Sequence, residues 1–136
     1  MRSKTLCLAV ALTLASCGGT KNVFIDGGLT GSWAIERALD TDTAGSEEQT
    51  WISFGEDGRM NGCAGVNLFF GEYSLEGSQL SLSNVGMTRR LGASMDVERA
   101  VTEAINTLRT VSVSKDRAYC LGEEGDTLLW LRRKTD

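Results

Sequence analysis

One stripe of apolar residues constrains this chain more than any other feature. Val97, Ala100, Val101, Ala104, Ile105 and Leu108 fall at i, i+3, i+4, i+7, i+8 and i+11, which predicts a helix of about three and a half turns with one buried face. Ser94 stands at the N-cap position, Asp96 and Glu98 occupy the first turn and Arg109 lies near the end, so the charges complement the helix dipole. Elsewhere the pattern has period two. Strands are expected over 32–39, 50–54, 59–62, 67–75, 79–83, 110–114, 117–122 and 127–133, separated by short glycine-rich or charged turns and by a polar loop over 40–48. A doubly wound sheet needs a helix after nearly every strand and is excluded. The expected fold is mainly β (α+β): a single curled antiparallel sheet or small β-barrel of about seven to eight strands, with one amphipathic helix packed on it.

The first residues are of another kind. Arg2 and Lys4 precede a short apolar stretch over 6–14, about half the length needed to span a bilayer core of about 30 Å. They read as a signal peptide over 1–16. Leu14, Ala15, Ser16 and Cys17 resemble the lipobox of bacterial lipoproteins, in which cleavage leaves the cysteine as a lipidated N-terminus. Gly18, where an inner-membrane lipoprotein has Asp, favours the outer membrane, with the protein facing the periplasm. Glycine-rich residues 17–31 then form a tether, from which Val23, Phe24 and Ile25 can dock on the fold, and 32–134 form the domain. Without residues 1–16 the chain has 12 basic against 18 acidic side chains, a net charge of −6. Nucleic acid is therefore a poor partner. Cys7 leaves with the signal and Cys17 takes lipid, so Cys63 and Cys120 remain in an oxidising compartment, where one disulfide between them is the simplest expectation.

Residues 58–73, GRMNGCAGVNLFFGEY, place four glycines around one cysteine. They resemble the signature of the META domain, the family of HslJ-type heat-shock lipoproteins, through Gly58, Arg59, Gly62, Cys63, Ala64, Gly65, Asn67, Gly71 and Tyr73. Trp33, Thr88, Glu98, Leu129 and Trp130 extend the resemblance over about 33–133. Two family cysteines are replaced by Val66 and Gly92; if these positions face each other in relatives that have them, losing both leaves no orphan thiol, and Cys63 keeps a separate partner in Cys120. Closing the Cys63–Cys120 loop is worth roughly 4 kcal/mol in the chain-entropy model. Gly62 and Gly65 are expected where the backbone bends at a sheet corner, with Asn67 holding the bend through hydrogen bonds to backbone.

Catalytic chemistry finds little support. The chain has no histidine, so Ser-His-Asp and Cys-His catalysts are excluded. Cys63 lies in C-A-G-V rather than a C-x-x-C pair and has no basic neighbour to lower its pKa. The carboxylate pairs Glu47-Glu48 and Glu123-Glu124 read as solvated turn charges, and Asp40, Asp42, Glu123, Glu124 and Asp126 match no calcium-loop spacing. No catalytic residue, metal or cofactor is assigned. Arg89 and Arg90, with Thr88, are the one basic cluster in mid-chain and a possible binding feature, whereas Arg132, Arg133 and Lys134 read as a solubilising end. Trp33, Trp51 and Trp130 are expected as core anchors, with an exposed Trp beside Phe69-Phe70 as the recognition alternative.

The resemblance implies a stress-related, secretion-related or drug-tolerance role. The expectation is a non-catalytic, lipid-anchored envelope protein that binds an unidentified envelope protein or ligand. One alternative is an inhibitor-like module against a cell-wall hydrolase or protease, using a loop such as 40–48 or 84–94; another is a small-ligand barrel with an apolar cavity.

Overall fold

A computed structural model describes residues 25–26 and 28–135 of the chain. The signal segment, Cys17, Val23 and Phe24 lie outside the described residues.

Alternation of side chains builds the walls. In β2 (Gly31–Ala38) Trp33 and Ile35 point inward, and in β4 (Trp51–Phe54) Ile52 and Phe54 do the same. β5 (Arg59–Cys63) turns Met60 inward and leaves Arg59 and Asn61 exposed. β6 (Leu68–Glu76) and β7 (Gln79–Met87) contribute Phe69 and Leu80, and after the helix β8 (Thr110–Ser114), β9 (Arg117–Leu121) and β10 (Thr127–Arg133) add Val111, Val113, Ala118, Cys120, Leu129 and Leu131. The strands run β8-β7-β6-β5-β4-β2-β10-β9, and β9 pairs back onto β8. Eight antiparallel strands therefore close into a barrel. Two short strands join outside the ring: β1 (Ile25–Asp26) lies parallel to Val113 and Ser114, and β3 (Thr41–Asp42) pairs with β2 inside the segment expected to be a polar loop.

β7 runs four residues beyond its expected end at 83. Its alternation fails there because the register shifts opposite Phe70 and Glu72, and Asn84 adopts φ +53°, so a bulge hides the strand from a period-two reading. The seam between β7 and β8 holds a single register pair, Gln79 with Thr110. α1 (Met95–Thr107) lies beside it, and Leu80 and Leu82 share a groove there with Ile105 and Leu108.

The helix buries the expected stripe, Val97, Ala100, Val101, Ala104 and Ile105, and adds Glu98. Ser94 holds the N-cap position, but its hydroxyl makes no cap; it accepts the Glu47 N–H at 2.9 Å and ties the 43–50 loop to the helix start. Arg109 lies past the last turn, where its guanidinium donates to the carbonyls of Thr107 and Leu108 at 3.3 and 3.0 Å. It satisfies orphan helix acceptors from outside the helix. Trp33, Phe54, Phe69, Ile52, Leu129 and Leu131 fill the barrel interior, each contributing about 1.5–3 kcal/mol by burial.

Candidate functional site

The glycine-cysteine segment folds around a buried carboxylate. β5 ends at Cys63, the chain turns through 64–67, and Gly65 takes φ +120°. A side chain there is strained by that angle, and its Cβ would lie 3.3 Å from Val97 Cγ1 at the helix start. This close approach aims the turn at Glu98. The Val66 and Asn67 backbone N–H groups donate to Glu98 Oε1 at 3.1 and 2.6 Å, and Asn67 Nδ2 donates to Oε2 at 2.7 Å. Three donors satisfy a carboxylate that is 6% exposed, which is what a buried charge requires.

Asn67 carries the network onward. Its Oδ1 accepts the Thr88 hydroxyl at 2.9 Å and the Arg90 N–H at 2.6 Å, and its Nδ2 donates to the Arg90 carbonyl at 2.9 Å. Thr88 Oγ1 accepts the Leu68 N–H at 3.0 Å, while the Arg90 guanidinium donates to the Val66 carbonyl and reaches Glu48 at 3.7 Å. The side-chain-to-backbone hydrogen bonds of Asn67, expected within the bend, run to Arg90, 23 residues on. Glu98, noted only as a family match and a helix-dipole charge, proves to be the centre of the site; no local spacing marks it.

Gly62 is the other steric requirement: a Cβ there would stand 2.3 Å from the Trp51 carbonyl oxygen and 2.4 Å from Phe69 Cζ. Gly58 and Tyr73 lie together at the far end of β5, where Tyr73 donates its N–H to Gly58 O at 2.9 Å and its hydroxyl to Gly55 O at 2.6 Å. Its ring meets Phe54 edge-on at 5.0 Å. Gly71 sits at the bulge, and Arg59 is exposed, 4.0 Å from Asp57. The motif thus builds two sheet corners, one at each end of β5.

The disulfide expected between Cys63 and Cys120 is absent: both are free, buried thiols. β5 and β9 stand opposite each other in the eight-strand ring, three strands apart in either direction. Met60 and the Gly62 position face inward, so alternation turns Cys63 outward, where its thiol donates to Glu48 Oε1 at 3.7 Å; Cys120 points into the core. Two sulfurs on opposite sides of the core cannot meet the geometry of a disulfide. Burial pushes the Cys63 pKa up, a hydrogen bond from Gly65 opposes this, and the charges of Glu48 and Glu98 add to the rise. Burial pushes Cys120 up to about 12. Both shifts run away from the thiolate that nucleophilic chemistry needs.

The other candidates separate. Arg89 and Arg90 are both exposed, and Arg90 is engaged by the Val66 carbonyl and Glu48. Glu47 and Glu48, and Glu123 and Glu124, are exposed turn residues, and among the described residues no group of three or more acidic or cysteine side chains is placed to hold a metal. Trp33 is fully buried with its indole N–H on Leu29 O at 2.8 Å, but Trp51 and Trp130 are half-buried on the outer surface. Phe69 is core, and Phe70 is 51% exposed.

The positions of the replaced family cysteines do face each other: a Cβ on Gly92 would lie 3.0 and 3.1 Å from the two γ-methyls of Val66.

Among solved structures, an NMR structure of a protein from Burkholderia xenovorans matches with a TM-score of 0.62 at 20% identity, covering 90% of this chain and 100% of that one. A second NMR structure matches at 0.59 and 19%, covering 76% and 88%. At such identities the likeness speaks to the fold alone. No curated protein matches the chain. The META domain model matches residues 27–135, nearly the whole described structure; this chain belongs to the META domain family.

Proposed function

We propose that this META-domain protein is a non-catalytic component of the bacterial cell envelope, lipidated at Cys17 and held at the outer membrane facing the periplasm, where it binds another envelope component and supports tolerance of stress or drugs. The observation that carries the binding role is an uncovered apolar surface. Leu68 and Phe70 share the outer side of β6 at 47% and 51% exposure, Phe70 lies across from Gly86 beside Val85, and Leu91 is 91% exposed on the segment pinned to Asn67. Large apolar side chains left in water on one side of a small domain mark interaction surfaces. The raised thiol pKa values and the burial of Glu98 under three donors favour a binding role over catalysis.

A second reading rests on the same segment. Hydrogen bonds to Asn67 hold residues 88–90 rigid at the base while Leu91 projects beside Arg89, and such preorganisation suits an inhibitor of a cell-wall hydrolase or protease. The test has two arms. A photo-crosslinking residue at position 70 or 91, in cells, should capture one partner that Leu91→Asp releases; inhibition of a purified hydrolase at micromolar concentration would select the inhibitor. Mass analysis of the mature protein should show acyl groups on Cys17, and Cys17→Ser should leave the membrane fraction. Unmodified Cys17 would remove the anchor, and equal crosslinking to many proteins would remove the binding surface.

A further inference from the structure

The short strand β1 marks where the N-terminal segment joins the fold. Ile25 and Asp26 run parallel to Val113 and Ser114, which sets them beside the Lys115-Asp116 turn between β8 and β9. The end of β10 closes on the same turn: the Arg133 N–H donates to the Asp116 carbonyl at 2.7 Å and its Nε to that of Lys115 at 3.3 Å. The other guanidinium nitrogens donate to the carbonyls of Thr30 and Gly28 at 3.0 and 2.8 Å, and the group lies 4.2 Å from the Trp33 ring centroid. These partners are neutral, so they position the charge without cancelling it. Lys134 follows, its N–H on Ser32 O at 2.9 Å and its ammonium 5.5 Å from the Trp51 ring centroid. Arg117 stands beside Arg132 in register, and Glu36 holds the two at 2.8 and 2.7 Å. Lys115, Arg117, Arg132, Arg133 and Lys134 are thus gathered where β1 joins, against Asp26, Glu36 and Asp116.

The opposite end of the barrel has the opposite sign. β2 and β9 end there and β10 begins there, so the 40–48 segment and the 122–126 turn bring Asp40, Asp42, Glu47, Glu48, Glu123, Glu124 and Asp126 to it, against Arg37 and Arg90. The β4–β5 turn flanks the basic end through the pairing of Gly31 with Phe54 and sets Glu56 and Asp57 against Arg59. A chain of net charge −4 is therefore polarised along the barrel, with its excess of cations at the end where β1 joins.

We propose that this basic end docks on the anionic phospholipid headgroups of the leaflet that carries the anchor, an inference that rests on the lipidation of Cys17 put forward above. Seven residues separate Cys17 from Ile25, so even a fully extended connection reaches at most about 29 Å. The end where β1 joins is the one that such an anchor holds at the lipid surface. Headgroup phosphates pair with arginine in a fork geometry and with lysine as a point charge, and a negative leaflet attracts cations and repels carboxylates within a Debye length of about 8 Å at physiological salt. Five cations diluted by three carboxylates hold such a surface weakly, so the contact orients a protein that the acyl chains retain. It also bears on the partner surface. The turn through 64–67 leaves β5 at its end away from the β4–β5 turn, and Leu91 follows the Arg90 pinned to that turn, so docking of the basic end presents Leu91 away from the lipid.

Two preparations separate docking from anchoring. In the first, the lipidated protein is reconstituted in vesicles containing about one-third phosphatidylglycerol in phosphatidylcholine, with a donor fluorophore on Thr135→Cys or on Glu124→Cys and an acceptor on the headgroups. Transfer from position 135 should be at least twofold more efficient than from 124, and the difference should shrink in phosphatidylcholine alone. In the second, the chain from residue 17 onward carries Cys17→Ser and bears no acyl group. It should float with phosphatidylglycerol vesicles at about 20 mM salt, at least tenfold more than with phosphatidylcholine, and be released at about 200 mM. Lys115→Gln with Lys134→Gln should reduce flotation at least threefold at an unchanged melting temperature; Lys115→Gln alone, on an exposed side chain, keeps the test valid should the pair disturb Trp51. Arg89→Gln removes an equal charge from an exposed residue of the other end and should leave flotation unchanged. Equal transfer from the two labels, no flotation at low salt, equal flotation on phosphatidylcholine, or the same loss from Arg89→Gln as from Lys115→Gln would each overturn the proposal. Unmodified Cys17 would remove the anchor and leave the flotation result to decide the docking, whereas acylated Cys17 with no flotation would keep the anchor and remove the docking.

Discussion

Replacing Glu98 by Gln tests whether the buried carboxylate organises the site or merely occupies it. The substitution keeps the shape. One amide oxygen can still accept the Val66 and Asn67 N–H groups, but the amide nitrogen then meets Asn67 Nδ2, donor against donor. Asn67 cannot turn over, because its Oδ1 already accepts from Thr88 Oγ1 and the Arg90 N–H. The reverse placement of the Gln amide is worse, since two backbone N–H groups would then face a donor. Losing a hydrogen bond to a charged group costs about 1.5–3 kcal/mol, and the buried donor left without an acceptor about 1–3 more. Glu98→Gln should therefore destabilise by about 3–5 kcal/mol, a large fraction of the total for a domain. At about 4 °C per kcal/mol, the midpoint falls by about 12–20 °C. Urea and thermal unfolding followed by tryptophan fluorescence measure this directly. Asn67→Ala removes the facing donor, so the double variant should be less destabilised than the sum of the single ones by about 1 kcal/mol or more. A loss below about 0.5 kcal/mol for Glu98→Gln, or strict additivity with Asn67→Ala, would refute the assignment of Glu98 as the organising group.

Three further outcomes follow from the structure. The double variant Val66→Cys with Gly92→Cys should form a disulfide under air, because the two positions touch; it should raise stability by about 3.5 kcal/mol for a loop of this length, and reductant should abolish the gain. Cys63 and Cys120 should resist a thiol reagent in the folded protein and react together in denaturant, and a mass unchanged by reductant would accompany this; a two-hydrogen shift on reduction would contradict the free thiols. Glu36 is held below its ordinary value of 4.5 first by its hydrogen bond from Arg132. Its stabilisation is therefore complete above that value and disappears as pH falls through the lower folded-state value. Glu36→Gln should cost less than about 1 kcal/mol at pH 7, since the pair is partly exposed, and the difference from the natural protein should vanish in acid melts; a cost that grows below pH 4 would reverse the sign of this linkage.

The sequence by itself determined the elements and most of their limits. Period two and period 3.6 are local signals written by which side of a strand or helix meets the core, so the helix stripe from Val97 to Leu108, the strands 110–114 and 127–133, and the choice of a curled antiparallel sheet over a doubly wound one were all legible. Where alternation breaks, legibility ends: β7 beyond residue 83 and β3 within the 40–48 segment appear only when their partners are in place. Tertiary structure alone decided the site. Glu98 meets Asn67 across 31 residues, and Asn67 meets Thr88 and Arg90 across 21 and 23, separations that no periodicity encodes. It also decided the fate of the thiols, since strand order puts Cys63 and Cys120 on opposite walls and pleat parity points one out and the other in. The physical reason is the same in each case: hydrophobic patterning states which face of an element is buried, and only closure of the barrel states what that face is buried against.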